Sequence, residues 1–340
     1  MEMKEMKGIL TLTIITQRAT SLNYGENIGN VSILKKLSLG DNSQITYVSD
    51  KALKYEMRKK GKEEKRWKLL DEKVKEVIEN KRNKGRLDVD SFGKELIKNY
   101  EEFDLFGGLL TNLKGADGKK LELSYGDSVK RTAPVKVTYA YSISKFQGDM
   151  DFMNNIDAYN RYIKHIEQKD AQVITQSEQH RAHYYYTIAI DLDRIGVWEG
   201  ENQSEDVISS EEKANRVKAL LDIVRTLSRQ IRGRWESLSP IFVIGGIYKI
   251  KNPFFMGCIG AKETEDEKLI LDTRRLLGCM NLIPEEERKN TLCGILSGCF
   301  ANEQEIRENL QCKGLECKKV DDVFEELKKK VEEVYAVSKA

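Results

Sequence analysis

Four segments of the chain alternate apolar and polar residues with a period of two, a pattern that predicts β-strands. The first covers residues 10–14, with leucine and isoleucine on one face and threonine on the other. The second covers 135–144, the third 184–192, and the fourth is an apolar run that begins at Ile241. We therefore expect a sheet to which these four strands contribute.

Two segments predict helices that pack on this sheet. Residues 49–60 can begin at Ser49 or Asp50, since both residue types cap helix N-termini well. Residues 210–232 carry the best amphipathic pattern in the chain. The apolar stripe of that segment is formed by Val217, Leu220, Leu221, Val224, Leu227 and Ile231. Arg225, Arg229 and Arg232 follow at helical spacing, so we expect this helix to present guanidinium groups on another face.

The order strand, helix, strand, strand, helix, strand predicts an α+β fold with a ferredoxin-like, RNA-recognition-like antiparallel sheet core. This core takes residues 1–60, 131–145 and 181–250. A helical insertion at 61–130 has apolar patterns from Trp67 to Ile78 and from Leu96 to Phe103. A second insertion, at 146–180, is polar and has no core stripe, and insertions of that kind often carry function. Residues 251–340 are expected to form a C-terminal helical extension.

The chain has 340 residues and a formal net charge of only +2, but its charge is unevenly placed. Residues 50–86 hold fifteen Lys or Arg against eight Asp or Glu, and residues 216–234 hold six against one. Two basic concentrations in a nearly neutral chain indicate a defined polyanion-binding surface. The alternative for 50–86 is an ordinary solvated helix surface rich in Lys and Glu.

The sequence predicts a cytoplasmic protein with reduced cysteines. No apolar signal core follows the N-terminus, and the apolar run from Ile241 is far too short to span a bilayer. The six cysteines are therefore expected to be thiols. Four of them, Cys293, Cys299, Cys312 and Cys317, cluster near the C-terminus without a CxxC pair, which favours structural thiols over a metal site.

Enzyme signatures are absent from the sequence, which contains no GxxxxGK[ST], HExxH, GxSxG or GxGxxG motif. His180 and His183 lie close together, but the sequence names no third partner for a catalytic or metal site. Asp191 and Asp193 share one strand face and could hold Mg²⁺, although Arg194 favours a structural ion pair. We expect no catalytic residue, no metal and no cofactor.

The segment after the first strand, RATSLNYGENIGNVSILKK, is rich in Asn, Gly, Ser and Thr and is flanked by Arg18, Lys35 and Lys36. Small residues let a backbone approach a phosphate chain, and exposed N–H groups with basic side chains complete an anion site. An ordinary turn after a strand has the same composition, so the segment alone leaves both interpretations open.

Taken in order, several segments resemble the DevR-type backbone subunit of type I CRISPR Cascade complexes, a branch of the RAMP superfamily, and subtype I-B in particular. The resemblance covers most of residues 5–250, and its segments are SLNYGENIGN, ITYVSDKALKYEMR, DLFGG, RTAPVKVTYAYSIS, FQGDMDFMNN and HRAHYYYTIAIDLDRIGVW. It implies an RNA-recognition-like palm with a helical finger at 61–130 and a projecting thumb at 146–180. Copies would stack head to tail along the crRNA, and each thumb would displace one base.

The resemblance also implies an RNA-binding set. Its members are Arg18, Asn23, Asn27 and Asn30 after the first strand; Lys51, Lys54 and Arg58 on the first helix; Lys130 and Arg131; Gln147, Met150 and Phe152 at the start of the thumb; and Gln179, His180 and Arg181 at its end. Such a set needs positive charge for phosphates and flat or apolar groups for bases. It needs no base-edge code, because the guide sequence must vary.

The implied partners are crRNA, the target DNA strand paired to it, other copies in a helical filament, other Cascade subunits and a helicase-nuclease that does the cutting. One alternative is an endoribonuclease of the type III RAMP kind, which uses an aspartate after the first strand. Here that region offers Glu26 and Asp41 among asparagines, which argues against cutting. The other alternative is an RNA-binding regulator outside CRISPR.

Overall fold

The main sheet is built on two long strands, β1 (Ile9–Thr20) and β14 (Arg181–Asp191), which pair antiparallel. The computed structural model describes residues 6–70, 86–115, 118–154, 161–162 and 174–336, and all structural statements refer to these. The sheet order is β23-β22-β19-β1-β14-β11-β5-β4, and β10 also pairs with β14. The other strands are β4 (Lys36–Ser38), β5 (Gln44–Val48), β10 (Val135–Val137), β11 (Ala140–Ser142), β19 (Pro240–Tyr248), β22 (Thr291–Ile295) and β23 (Cys317–Lys319).

The remaining strands form smaller sheets. A four-stranded one has the order β12-β13-β3-β2 and consists of β2 (Tyr24–Ile28), β3 (Val31–Leu34), β12 (Asp149–Asn154) and β13 (Ile174–Gln179). The two-stranded pairs are β6 (Arg86–Leu87) with β8 (Glu122–Leu123), β7 (Gly108–Thr111) with β9 (Ser128–Arg131), β15 (Val197–Glu199) with β16 (Ser204–Asp206), β17 (Ser228–Ile231) with β18 (Arg234–Ser237), and β20 (Ala261–Glu263) with β21 (Leu269–Leu271).

Eight helices lie in the described part of the chain. They are α1 (Asp50–Lys65), α2 (Val89–Asn99), α3 (Glu101–Phe106), α4 (Ser210–Arg225), α5 (Thr273–Met280), α6 (Glu285–Arg288), α7 (Glu303–Gln311) and α8 (Val320–Ala336). Residues of α1, α4 and α8 share one hydrophobic core with the main sheet. The side chains of Ser49 and Ser209 accept hydrogen bonds from the first turns of α1 and α4, and the predicted cap Ser49 is thereby confirmed.

The four predicted strands are confirmed as β1, β10 with β11, β14 and β19, and they lie in the antiparallel order β19-β1-β14-β10/β11. The second predicted strand is divided in two. At the break, the hydroxyl of Thr138 accepts the N–H of Thr187 at 2.9 Å in place of a backbone carbonyl. The ladder resumes at Tyr141, opposite Tyr185.

Both faces of β1 are buried, which the alternation alone did not predict. Leu10, Leu12 and Ile14 lie in the core beneath the helices, while Ile9 and Ile15 lie in a second core formed with the C-terminal segment. The predicted helical extension at 251–340 contains four helices, α5 to α8, but it is not helical throughout. This segment supplies β20 to β23, and two of these strands extend the main sheet.

The cysteines agree with the sequence prediction only in part. Cys258 and Cys279 form a disulfide, so the expectation of six thiols is wrong for this pair. Cys293 and Cys317 are buried thiols on β22 and β23, in keeping with a structural role.

The predicted helix at 210–232 ends seven residues early, at Arg225. Residues beyond it form the β17–β18 hairpin, whose two turn residues, Arg232 and Gly233, both have positive φ (49° and 75°). Positive φ at both positions is typical of the two-residue turns that match strand twist, and glycine accepts it without strain. Arg229 and Arg232 therefore do not share a helix face with Arg225.

The insertion at 61–130 has a small core of its own. Leu96, Ile97, Tyr100 and Phe103 are buried together in α2 and α3, as their spacing predicted. Trp67 is buried outside any helix, and the predicted pattern at 74–78 falls outside the described residues. No helix in the described part of the chain is both long and apolar enough to cross a membrane.

Candidate nucleic-acid interface

The four-stranded sheet formed by β2, β3, β12 and β13, which we call the hairpin sheet, lies at the end of the main sheet where β1 finishes and β14 starts. β1 runs through three residues into the β2–β3 hairpin, and β13 leads through one residue into β14. The register places Gln176 and Ser177 of β13 parallel to Val31 and Ser32 of β3. The segment after β1 is therefore a hairpin and not an irregular loop, and it pairs with the second insertion.

Polar contacts hold the strands of the hairpin sheet together and link it to Lys36 of β4. Glu178 accepts from the backbone N–H of Leu34 at 2.8 Å and from the Lys36 amine at 2.5 Å. The Lys36 amine also lies 4.4 Å from the ring centre of Phe146. Tyr24 donates its hydroxyl to the carbonyl of Glu178 at 3.1 Å. These contacts hold the base of the sheet, while its outer part reaches solvent.

The outer part of the hairpin sheet exposes large apolar side chains. Phe152 is 57% exposed, Met150 50%, and Ile28 of β2 69%. Met150 and Phe152 are two residues apart on β12, so they share one face of the strand. Exposed apolar groups concentrated on one small sheet are a mark of an interaction site. The predicted residues Asn27, Asn30 and Gln147 are exposed in the same region.

The predicted residues on α1 differ in whether their positive charges are paired with carboxylates. Lys51 is exposed, and in the described part of the chain no carboxylate lies within 4.0 Å of its amine. Lys54 pairs with Asp50 at 3.2 Å, and Arg58 pairs with Glu102 at 3.2 Å. Lys51 is therefore the cation of this predicted trio best placed to neutralise a phosphate.

Three predicted residues are tied into the protein by hydrogen bonds. Asn23 is buried and donates to the Ser49 hydroxyl at 3.4 Å. The side chain of Gln179 accepts from the Ser21 hydroxyl at 2.7 Å. His180 is buried, with Nδ1 2.8 Å from the Thr46 hydroxyl. Burial lowers the pKa of His180, so its ring is neutral near pH 7. These residues position the hairpin sheet and have little surface to offer RNA.

Arg131 is excluded from the interface by its position. Its side chain is almost completely buried, and its guanidinium donates to Asp104 at 2.6 Å and to the carbonyl of Val197. The sequence prediction of an RNA contact here is therefore corrected. Lys130, its neighbour on β9, is exposed.

Acidic side chains already neutralise the two arginines at the junction of β1 and β14. Arg18 pairs with Glu267 at 2.6 Å and with Glu263 at 3.6 Å. Arg181 is exposed and lies 3.5 Å from Glu267. A polyanion would have to displace these carboxylates, so the charges of the two arginines are less available than the charge of Lys51.

Most basic side chains at 216–234 are paired with carboxylates, so this concentration does not form the expected surface of unpaired positive charge. Arg216 is buried against Asp104 at 2.9 Å, Arg229 pairs with Glu56 at 3.0 Å, and Arg225 pairs with Glu325 at 3.1 Å. The guanidinium of Arg232 stacks over the ring of Tyr24 at 3.9 Å, beside the hairpin sheet.

The carboxylates considered for chemistry are also paired. Lys251 lies 2.7 Å from Asp191 and 2.8 Å from Asp193. Burial raises the pKa of Asp193, but its hydrogen bonds to Lys251 and to the backbone outweigh this, so the pKa is lowered overall. Asp41 pairs with Lys145 at 2.5 Å in an exposed turn. In the described residues no cluster of three or more His, Cys, Asp or Glu could hold a metal ion.

Two chains from solved structures are similar to this chain in fold. A chain described as "CRISPR RNA-guided surveillance complex, pre-nicking" aligns with a TM-score of 0.52 and 10% identity, over 97% of this chain and 100% of that one. A chain described as "CRISPR RNA-guided surveillance complex" gives a TM-score of 0.46 and 14% identity, over 84% and 87% of the two chains. No curated protein matches the sequence.

The sequence identifies the family. Residues 11–267 match the profile described as "CRISPR-associated negative auto-regulator DevR/Csa2". The chain belongs to this CRISPR-associated family, which confirms the resemblance to the DevR family, while subtype I-B stays a prediction.

Proposed function

We propose that this protein is a non-catalytic, crRNA-binding backbone subunit of a cytoplasmic Cascade complex. The observation that carries the proposal is the hairpin sheet, which exposes Met150, Phe152 and Ile28 beside exposed asparagines. Apolar groups on a projecting sheet can insert between or stack against bases, and neighbouring polar and basic groups can follow the backbone. Membership of the DevR/Csa2 family supports this function.

The topology supports a palm of the ferredoxin-like kind. In that fold the first and third strands are central, the fourth strand flanks the first, and the second strand flanks the third. The corresponding strands here are β1 and β14 in the centre, β19 beside β1, and β10 with β11 beside β14. The insertion at 61–130 would be the finger, and the second insertion, which includes β12 and β13, would be the thumb. Copies would stack head to tail along the guide, with the target DNA strand pairing to it. Other Cascade subunits and a recruited helicase-nuclease would complete interference.

The first test is whether RNA accompanies the protein. Purified protein should carry RNA, seen in the ratio of absorbance at 260 and 280 nm, and sequencing should return guides with repeat-derived ends. Random cellular RNA would favour the alternative of a general RNA-binding regulator. Protein free of RNA, with no affinity for added guide, would contradict the proposal.

The second test asks whether the exposed apolar groups of the hairpin sheet contact RNA. The double variant Met150→Ser, Phe152→Ser should weaken guide binding by roughly 1–3 kcal/mol for each base that no longer stacks on the protein. The matched control is Ile270→Ser, Leu282→Ser, which removes two exposed apolar groups from the C-terminal segment. Equal weakening in the two variants would show that the hairpin sheet has no special role.

The third test concerns stacking. Asn154 of β12 lies opposite Ile174 of β13, so a two-residue Asn-Gly turn can replace residues 155–173 without changing the register. Circular dichroism should show an intact fold. Regular filaments on long RNA should no longer form, because a head-to-tail contact needs a surface from each neighbour. Filaments that persist would show that these residues do not mediate assembly.

A further inference from the structure

The main sheet has a second face, opposite α1, α4 and α8, and part of it carries a row of tyrosines. Val48, Ala140 and Tyr184 belong to the core beneath the helices. Because neighbouring residues on a strand point to opposite faces, Tyr47, Tyr141 and Tyr185 lie on the other face. The C-terminal segment covers this face as far as Tyr185, which packs against its core. The row of tyrosines therefore begins where the C-terminal segment stops covering the sheet.

The rings in this row contact one another. Tyr185 and Tyr141 have ring centres 5.8 Å apart, and Tyr141 and Tyr139 6.2 Å. Tyr139, in the break between β10 and β11, stacks on Tyr47 with centres 5.0 Å apart and planes within 15°. Tyr139 is still 40% exposed. Two nearly parallel rings at an exposed position form a platform that a further flat group can extend.

Positive charge lies close to this platform. Lys136 is three residues before Tyr139 and alternates with Val135 and Val137 of the core beneath the helices, so it lies on the same face of the sheet as the tyrosines. Lys136 is exposed, and among the described residues no carboxylate lies within 4.0 Å of its amine. Burial, together with the positive charges of Arg194 and Lys54, lowers the pKa of Lys136. The surroundings therefore favour an anionic ligand.

We infer that Tyr139 stacked on Tyr47, with Lys136 on the same face of the sheet, is a base-stacking site for single-stranded RNA. Lys136 would neutralise a flanking phosphate, and the exposed ring of Tyr139 would stack on a base of any identity. This inference rests on the proposed function and adds a second contact region, on the sheet face, to the hairpin sheet. A protein partner is less favoured, because the centres of protein interfaces are depleted in lysine.

The test measures the binding of a short labelled single-stranded RNA to the full-length chain, freed of bound RNA. Tyr139→Leu should weaken binding roughly 5- to 150-fold, the equivalent of 1–3 kcal/mol for one stacked base. Tyr139→Phe keeps the ring and should bind like the parent. Trp235→Leu removes another exposed aromatic ring, from β18, and should also bind like the parent. Photo-crosslinking through 4-thiouridine should label the peptide that contains Tyr139.

The outcomes separate this inference from the proposed function. If the parent chain binds no RNA, both fail. If the parent binds, Tyr139→Leu binds equally well and no crosslink reaches Tyr139, only the stacking site is refuted. If Tyr139→Leu keeps its affinity for short RNA but no longer assembles on long RNA, the face is an interface between copies, which also overturns the inference. Equal weakening by Tyr139→Leu and Trp235→Leu would refute a specific site.

Discussion

Neutralising Asp104 should be among the most damaging single changes away from the proposed RNA-binding surface. Asp104 is completely buried. Its Oδ1 accepts from Arg131 at 2.6 Å and from the backbone N–H of Gly196 at 2.9 Å, and its Oδ2 accepts from Arg216 at 2.9 Å. One carboxylate thus links α3, β9 and α4, which belong to the helical insertion and the main body.

The size of the effect follows from the burial of both guanidinium groups, whose side chains are 2% and 3% exposed. Asp104→Asn keeps the volume but removes the charge that compensates them, and it turns an NH₂ group towards one of the donors. Breaking a buried ion pair in this way costs about 3–5 kcal/mol. With about 2.1 cal/mol/K of unfolding entropy per residue over 340 residues, Tm should fall by roughly 4–7 °C.

Denaturant unfolding followed by circular dichroism measures the change, with Asp41→Asn as the control. Asp41 forms an ion pair whose side chains are both more than half exposed, so solvent screens it and its removal should change the stability little. A double-mutant cycle with Arg131→Met should show coupling of about 1 kcal/mol or more. Equal costs for Asp104→Asn and Asp41→Asn, or additive effects in the cycle, would refute the role assigned to this cluster.

Three further predictions concern pH, charge and cleavage. Burial lowers the pKa of His180 from its ordinary 6.5, so the neutral ring contributes stability above pH 6.5 that is lost as the pH falls. The variant His180→Gln should therefore flatten the acid side of a curve of stability against pH. An unchanged curve would contradict this. Lys51→Glu should weaken binding to unrelated RNAs alike and reduce the slope of log affinity against log salt by about 0.7, whereas Lys313→Glu should not; weakening that depends on the base sequence would contradict this. The protein with Mg²⁺ or Mn²⁺ should leave labelled RNA intact, whereas cleavage at regular intervals that Asp41→Ala or Glu26→Gln abolishes would establish the endoribonuclease alternative.

The strands of the main sheet were predictable because their alternation is a local property. Leu10, Leu12 and Ile14 indicate one buried face, and the run from Pro240 to Tyr248 indicates a central strand. What alternation cannot say is what covers the second face. Ile9 and Ile15 are buried by a segment more than two hundred residues away in the chain, and no local pattern encodes that contact.

The end of α4 shows where a local pattern misleads. Leu227 and Ile231 continue the apolar spacing of the helix, yet the chain leaves the helix at Thr226. The better signal was Gly233, which together with Arg232 makes a two-residue turn between strands that pair Ile231 with Arg234. Helical spacing and a hairpin turn competed over the same residues, and the hairpin formed because its glycine accepts positive φ.

Basic residues are the hardest part of the site to assign from sequence, because the sequence does not show whether a lysine or arginine is paired with a carboxylate or is free to bind RNA. Arg131 and Arg216 both bind Asp104, although they lie 27 and 112 residues away from it in the sequence. Lys51 has no carboxylate partner in the described part of the chain. Only the fold decides which cations are already neutralised. The number of basic residues therefore indicated a polyanion surface at 216–234, where most of the basic side chains are paired with carboxylates. The sequence gives no sign that the tyrosines form a site, since Tyr139 and Tyr141 fit a simple strand pattern. In the structure the strand breaks at Thr138, and the ring of Tyr139 stacks on Tyr47 and stays partly exposed.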